Sequence, residues 1–165
     1  MRWIISNRFS RFGCEMADRH YSRQSSGSNQ FVAPGRCLVL EIRSPAPALW
    51  VSRWPKFADH KFGLSWECTL FRNEGAGLSS ELIREALQAT RWKWGDPPET
   101  GMLTFVDPGS VRRKRDPGRC FIKAGFKHIG QTKIRKILAF RLEPERVPPA
   151  LAPRGTTMEL FDVRA

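Results

Sequence analysis

The sequence predicts a single α/β domain of the α+β type, with a central mixed, mostly antiparallel sheet of about six or seven strands flanked by helices. Three observations support this prediction. The chain has 165 residues, a length that suits one domain with a buried core. Apolar runs of strand length alternate with segments of helical periodicity. Between positions 66 and 90, a strand, a glycine turn and an amphipathic helix follow one another directly.

The first half of the chain is predicted to contain four strands and one helix. Residues 1–6 form a short first strand, and residues 10–21 form a helix with Phe12 and Met16 on one face. The polar residues 22–34 form a loop. Strands at 37–43 and 48–54 flank a proline-containing turn and are therefore expected to pair as a hairpin. Residues 55–64 connect this hairpin to a strand at 66–73.

In the second half, the helix at 78–90 has apolar residues at helical spacing, and residues 95–98 end this unit because proline removes a donor and fixes φ. A strong strand is expected at 101–107, a basic loop at 108–116, a short helix at 118–124 and two strands at 126–132 and 136–142. We expect residues 1–143 to form the domain. Residues 144–165, dense in Pro, Arg and Ala, are expected to form an extended or mobile C-terminal extension.

The charge of the chain indicates its partner class. Lys and Arg number 28 against 16 Asp and Glu, for a net charge of +12, so we expect nucleic acid as the partner; a solvated basic surface is the alternative. The four cysteines are far apart and lack zinc spacing, which favours buried thiols in a reducing compartment and predicts no metal. No apolar run approaches the ~18 residues of a membrane span. The apolar stretch at the start of the chain is too short for a secretory signal. We therefore expect a cytoplasmic protein without membrane contact.

The glycine turn after the strand at 66–73 is a candidate phosphate site. A strand feeding a turn that opens a helix presents backbone N–H groups without an intrahelical partner, and the helix dipole adds positive potential there. Glycine is expected in the turn because a Cβ would block a ligand or because φ is positive. The alternative is a turn without a ligand. The residues predicted to hold the phosphates are Phe71, Arg72, Gly75, Ala76, Gly77, Leu78 and Ser79.

The pattern Arg72-x-x-Gly75-x-Gly77 resembles motif A of the GNAT acyltransferases, (Arg/Gln)-x-x-Gly-x-(Gly/Ala), which holds the pyrophosphate of an acyl-CoA. The segment from Cys120 to Phe126 resembles motif B of the same family, where a short helix ends in Gly-Phe before the sixth strand. With the strand order, the resemblance covers about residues 35–142. It implies a GNAT-like fold and acetyl-CoA or a related acyl-CoA as cofactor.

A polar run near the N-terminus is a candidate reaction site. His20 and Tyr21 suit proton transfer, and Ser22 follows them directly. The alternative is a helix end with a histidine cation and a packed tyrosine ring. Asp107 ends an apolar strand, where its carboxylate is expected to accept a proton or to orient His20; the alternative is a cap on the following turn at Gly109.

The His20-Tyr21-Ser22 run ahead of a GNAT-like core, together with Asp107, resembles the Mom-type phage DNA-modification proteins. That family attaches a carbamoylmethyl group to N6 of adenine in DNA, which protects the DNA from restriction. The resemblance implies these four residues as catalytic and double-stranded DNA as the substrate. Phe121 stands where GNAT enzymes often carry a tyrosine that protonates the leaving thiolate. A phenyl ring cannot do this, so Tyr21 or water replaces it, or the thioester route is not used.

A dense cationic run follows the strand that ends at Asp107. We expect it to neutralise DNA phosphates, and a solvated face is the alternative. Two other functions stay open: an N-acetyltransferase acting on a small amine or protein, and a non-catalytic nucleic-acid-binding module of GNAT-like fold. The residues predicted to contact nucleic acid are Arg19, Arg23, Arg112, Arg113, Lys114 and Arg115.

Overall fold

A computed structural model describes residues 1–23, 25–55, 63–111 and 116–156. Within these ranges, seven strands form one sheet flanked by three α-helices. No described helix combines the length and apolar character needed to cross a bilayer. The elements are β1 (Ile4–Ser6), α1 (Arg11–Asp18), β2 (Arg36–Ile42), β3 (Ala48–Trp54), β4 (Trp66–Asn73), α2 (Ser79–Trp94), β5 (Met102–Val106), α3 (Arg119–Ala124), β6 (Lys127–Gln131) and β7 (Leu138–Leu142), followed by a 3-10 turn at Pro144–Arg146.

The strand order in the sheet is β1-β2-β3-β4-β5-β7-β6, and every neighbouring pair is antiparallel except β4 and β5. The predicted α+β class with a mixed, mostly antiparallel sheet is therefore confirmed. The parallel pairing of β4 with β5 runs from Trp66 opposite Met102 to Cys68 opposite Thr104. Since β4 continues to Asn73 beyond this pairing, the two strands separate toward their C-terminal ends.

The sheet is covered on both faces, and the alternation of side chains along β2 shows this directly. Leu38 and Leu40 face the larger core cluster, which includes the buried stripe of α2, whereas Val39 faces a smaller cluster that includes Met16 of α1. Trp3 is fully buried in the larger cluster, and its indole N–H donates to a carbonyl of α2 at 2.9 Å. The core thus fixes the start of α2 relative to the end of β4.

Two helix boundaries differ from the prediction by more than one residue. Helix α1 ends at Asp18 rather than at residue 21, because the His20 N–H bonds to the Ala17 carbonyl three residues back and the Arg19 guanidinium takes the Glu15 carbonyl. Helix α2 extends to Trp94 instead of residue 90, and Gly95 ends it at a φ of 80°. The extra turn is stabilised by packing, since the Trp94 ring lies 5.5 Å from that of Trp66, centroid to centroid.

Residues 144–156 of the predicted C-terminal extension lie against the domain. Val147 is buried in the larger core cluster. The Leu151 N–H donates to the Gln88 carbonyl of α2 at 3.3 Å, and the Arg154 N–H donates to the Trp3 carbonyl at 2.8 Å. This part of the extension is extended and is anchored to both α2 and the N-terminal strand.

Candidate functional site

A cleft of about 810 Å³ opens where β4 and β5 separate. Four parts of the chain form its walls: the turn after α1, the ends of β4 and β5, the start of α2, and α3 with the residues before it. The lining residues are His20, Tyr21, Phe71, Asn73, Gly77, Leu78, Ser79, Ser80, Val106, Val111, Asp116, Gly118, Arg119, Cys120, Phe121 and Lys123.

The glycine loop, residues 74–78, is shaped by the side chain of Asn73. Its Oδ1 accepts hydrogen bonds from the N–H groups of Gly75 at 3.1 Å and Ala76 at 2.9 Å. Its Nδ2 donates to the Gly77 carbonyl at 2.8 Å and to the Ser79 hydroxyl at 2.9 Å. Both glycines have positive φ, 106° at position 75 and 145° at position 77, so backbone conformation is the reason for glycine here. Sequence reasoning missed Asn73, although an Asn two residues before a glycine is a turn signal.

This arrangement leaves a defined set of amides for a ligand. The N–H groups of Gly75 and Ala76 are occupied by Asn73. Among the described residues, no acceptor contacts the N–H groups of residues 77–80, and Leu78 at the N-cap supplies no side-chain cap. These amides lie at the N-terminus of a 16-residue helix, where the helix dipole favours a bound anion. The cleft therefore has one end suited to phosphate groups.

Helix α3 adds charge to the same cleft. Arg119 and Lys123 lie four residues apart on one helix face and line the cleft together with a single carboxylate, that of Asp116. The local balance is thus positive, in agreement with an anionic ligand. Neither cation was predicted for the site, although their i, i+4 spacing was available as a signal.

Arg72 does not take the place that the motif predicted for it. Its guanidinium bonds to the carboxylate of Glu74 and to the carbonyl of Arg19, on the side of the turn after α1. These bonds use two of its five N–H donors, and the side chain does not line the cleft. Of the residues predicted to hold the carrier, Phe71, Gly77, Leu78 and Ser79 line the cleft, whereas Arg72, Gly75 and Ala76 do not.

His20 and Tyr21 stand between the separated strands. Their rings are stacked, with centroids 4.3 Å apart and planes inclined by 30°. The Tyr21 hydroxyl donates to the Phe105 carbonyl of β5 and accepts from the Asp107 N–H, both at 3.4 Å. The imidazole lies close to the backbone of β4 at Phe71. The pair thus bridges the two strands at the inner end of the cleft.

Ser22 completes this group by fixing the tautomer of the imidazole. The Ser22 N–H donates to Nδ1 of His20 at 3.2 Å, and the Ser22 hydroxyl lies 2.8 Å from the same nitrogen. Because Nδ1 accepts the backbone N–H, the ring proton of the neutral imidazole lies on Nε2. Of the three residues of this predicted site, His20 and Tyr21 line the cleft and Ser22 does not, and the run follows α1 instead of lying within it.

The two rings have complementary protonation states at neutral pH. Desolvation, and next the positive charge of Arg72, lower the pKa of His20 to about 4, so the imidazole is neutral. Desolvation raises the pKa of Tyr21, an effect that solvent limits because the residue is 41 % exposed. The cleft therefore presents a neutral imidazole beside a protonated phenol.

The depressed pKa of His20 predicts a pH-dependent stability. The unfolded chain binds a proton near pH 6.5, whereas the folded protein does so only near pH 4, so the stabilisation is complete above pH 6.5 and is lost as the pH falls toward 4. The loss amounts to about 3 kcal/mol at most. Urea unfolding of the wild type and His20→Gln at pH 7 and pH 4.5 measures it. The wild type should lose more stability than the variant, and parallel losses would contradict this assignment.

Asp107 is a turn cap in the structure. Its Oδ1 accepts the Gly109 N–H at 2.9 Å and its Oδ2 accepts the Ser110 hydroxyl at 2.9 Å, while the Arg135 guanidinium lies 3.7 Å from Oδ2. The hydrogen bond from Ser110 is the main reason why the pKa of Asp107 is lowered. The carboxylate does not line the cleft, and it contacts no atom of His20 among the described residues. The alternative prediction for Asp107, a cap on the following turn, thus fits its geometry. Its backbone N–H contacts the site by donating to the Tyr21 hydroxyl.

The predicted nucleic-acid contacts divide into two groups. Arg112, Arg113, Lys114 and Arg115 lie outside the described residues, between Val111 and Asp116, which both line the cleft. Arg19 and Arg23 have intramolecular roles that sequence reasoning did not foresee, because they hold the turn after α1. Arg23 is buried, with its guanidinium 2.7 Å from the Asp18 carboxylate, and Arg19 binds Glu74 at 2.9 Å.

Phe121 and Cys120 form the wall opposite the pair of rings. Phe121 is buried and packs edge-on against Phe71 and Phe126, with centroids 6.1 and 5.4 Å away. It therefore belongs to the core as well as to the cleft, and it supplies no proton. Cys120 lines the cleft beside it and forms no disulfide.

Asn73 provides a test of the glycine loop. Asn73→Ala removes both donors and the acceptor that order residues 75–79, so we expect unfolding free energy to fall by about 1–3 kcal/mol. Asn29→Ala, at an exposed position, should change it by less than about 0.5 kcal/mol. Chemical denaturation measures both, and equal effects would show that Asn73 does not order the loop.

No family model, curated protein or solved structure matches this chain. Within the described part of the chain, no three His, Cys, Asp or Glu residues lie together as a potential metal site. The described residues thus form an α+β protein whose cleft joins the unpaired amides at the start of α2 to a neutral histidine and a protonated tyrosine.

Proposed function

We propose that the protein is a GNAT-like transferase that modifies N6 of adenine in double-stranded DNA, as Mom-type proteins do. The observation that carries the proposal is the cleft, which joins the unpaired amides at the start of α2 to the His20–Tyr21 pair. A carrier bound by its phosphates at α2 would extend along the cleft toward the separated ends of β4 and β5, where His20 and Tyr21 lie. A volume of about 810 Å³ is within the range of small-molecule sites.

The fold supports the GNAT part of the proposal. A strand ends in a glycine loop that opens a long helix, and the same strand separates from its parallel neighbour to create the cleft. Acetyl-CoA or a related acyl-CoA is the proposed donor, since its pyrophosphate matches the amides of residues 77–80. The positive side chains of Arg119 and Lys123 add to this match.

The residues of the cleft suit transfer from such a thioester. The N6 nitrogen would form the new C–N bond while the C–S bond breaks. The thiolate would take up the proton of Tyr21, and one N6 proton would pass through water to the phenolate so formed, which restores the phenol. With a pKa of about 4, His20 is a weak base, so we assign it mainly the task of holding the amine through a hydrogen bond.

The charge of the chain supports DNA as the substrate. A net charge of +12 favours a polyanion, and adenine N6 becomes accessible to a cleft only when the base leaves the stack. The basic run at 112–115 is bracketed by cleft residues in the sequence, which supports phosphate contact beside the site.

Mass spectrometry of nucleosides tests the function. DNA from cells that express the wild-type protein should contain a modified deoxyadenosine, and DNA from cells that express His20→Gln at equal abundance should contain little of it. Unmodified deoxyadenosine with abundant, folded wild-type protein would reject DNA modification. Turnover of acetyl-CoA with small amines but not with DNA would indicate an N-acetyltransferase instead.

One set of observations favours a second candidate, a nucleic-acid-binding module without catalysis. Asp107 caps a turn, His20 is a weak base, and Phe121 lacks the hydroxyl of the expected acid. If DNA binding is tight while no donor binds the cleft, this candidate replaces the transferase.

A further inference from the structure

The hairpin between β6 and β7 ends in an ordered tip with an unusual composition. The Thr132 N–H donates to the Ile137 carbonyl at 2.9 Å, and the Ile137 N–H donates to the Thr132 hydroxyl at 3.1 Å. These two bonds close the base of a tip formed by residues 133–136. Ile134 in this basic tip is 93 % exposed, the most exposed large apolar side chain among the described residues.

Three cations surround Ile134. Lys133, Arg135 and Lys136 are all exposed, and among the described residues neither lysine has an acidic partner. A single exposed apolar residue is ordinary on a protein surface. Here the isoleucine lies at the end of a closed loop with three cations beside it. Some DNA-binding proteins insert such an apolar side chain between two base pairs while neighbouring cations bind the flanking phosphates.

The basic tip lies at the end of the sheet where the cleft opens. Leu138, the first residue of β7, pairs with Val106, the last residue of β5, so the tip projects beyond the end of β5. Val106 itself lines the cleft. Arg135 reaches to 3.7 Å from the Asp107 carboxylate, and the N–H of that aspartate contacts the Tyr21 hydroxyl at 3.4 Å. One short chain of contacts therefore connects the tip to the inner end of the cleft.

We propose that the basic tip binds double-stranded DNA, with Ile134 inserted between neighbouring base pairs and its three cations on the flanking phosphates. The inference rests on the proposed function for its choice of DNA. Insertion unstacks a base step beside the cleft, which lowers the cost of extruding the adenine that is to be modified. The tip thus gives the protein a means of opening the duplex that the cleft alone lacks.

Fluorescence of a duplex carrying 2-aminopurine tests the wedge, because this base becomes brighter when it is unstacked. The wild type should raise the fluorescence, and Ile134→Ala should abolish the rise while changing duplex affinity less than about tenfold. Leu151→Ala, at an apolar position that is 45 % exposed and bonded to α2, should behave as the wild type. Lys133→Ala combined with Lys136→Ala should lower the slope of log affinity against log salt by about 2.

An equal fluorescence rise with wild type and Ile134→Ala overturns the wedge, as does duplex binding by the wild type without any rise. Preference of the wild type for single-stranded RNA or for vesicles with anionic lipid over the duplex also overturns it. The adenine modification is read separately from the nucleosides of cells expressing the wild type. If adenine is modified but the fluorescence test is negative, the proposed function stands and the insertion of Ile134 is rejected. If adenine is unmodified but the fluorescence test is positive, the transferase is rejected and the insertion of Ile134 stands.

Discussion

Tyr21→Phe is expected to lower the rate of group transfer by about 10²–10⁴-fold, because it removes the protonated hydroxyl that the cleft presents to a leaving group. The ring itself stays stacked on His20, and the lost hydrogen bonds are both long, at 3.4 Å. Folding stability should therefore change by less than about 1 kcal/mol. The measurement is a single-turnover rate with donor and duplex in the same tube, together with the melting temperature of the variant.

The comparison with Phe9→Leu, at an exposed apolar position away from the cleft, controls for general effects of an aromatic substitution. A Tyr21→Phe protein that retains the wild-type rate would remove Tyr21 as the acid. Water or a different donor chemistry would then be required at the leaving group. A protein that loses both activity and folding would instead assign the hydroxyl to the structure of the β4–β5 opening.

Arg119→Glu combined with Lys123→Glu is expected to weaken the binding of coenzyme A by roughly 100-fold, since two cations that line the cleft become anions. A glutamate at position 119 is favourable for the dipole of α3 and one at position 123, in its last turn, is unfavourable, so the two effects on the fold should offset each other. Isothermal titration with coenzyme A measures the affinity. The effect should diminish as salt is added.

Lys127→Glu, which reverses one charge where the double variant reverses two, is the control for this charge reversal. Lys127 is exposed on β6 and does not line the cleft, so its reversal should leave coenzyme A affinity within about threefold of the wild type. Equal losses in the double variant and in the control would indicate a general effect of net charge. The phosphate end of the cleft would then have to be placed elsewhere.

Local patterns predicted the frame of the site well. The end of β4, the glycine loop and the stripe of α2 are encoded within 25 consecutive residues, from Trp66 to Thr90, and the structure has β4 with the predicted bounds. The glycines at 75 and 77 indicate positive φ directly, as the structure has at both positions. These features depend on neighbours in sequence, which is why periodicity and turn chemistry were sufficient.

Local patterns did not predict which groups the charged side chains bond to. Arg72 matches a motif position, yet it binds Glu74, which the motif does not specify, and the Arg19 carbonyl, which only the folded chain brings near. Asp107 could have faced the imidazole or its own turn, and the adjacent Gly109 and Ser110 supply the nearer donors. Such outcomes are decided by tertiary placement, which a single sequence does not contain.

The protonation state of His20 has the same origin. Its residue type suggests a base with a pKa near 6.5, but burial between the separated strands and the nearby Arg72 charge lower the pKa to about 4. The role of the imidazole therefore shifts from proton removal toward positioning. Only the packing of the turn after α1 against β4 makes this visible.

The proposed function depends on the binding of an anionic carrier by the amides at the start of α2. Backbone amide NMR of the ¹⁵N-labelled protein during titration with coenzyme A tests it most directly. We predict saturable shifts for the N–H groups of Leu78, Ser79 and Ser80, with smaller shifts for Gly75 and Ala76, whose N–H groups already bond to Asn73. Unchanged resonances for residues 77–80 at millimolar coenzyme A would show that these amides do not bind the carrier.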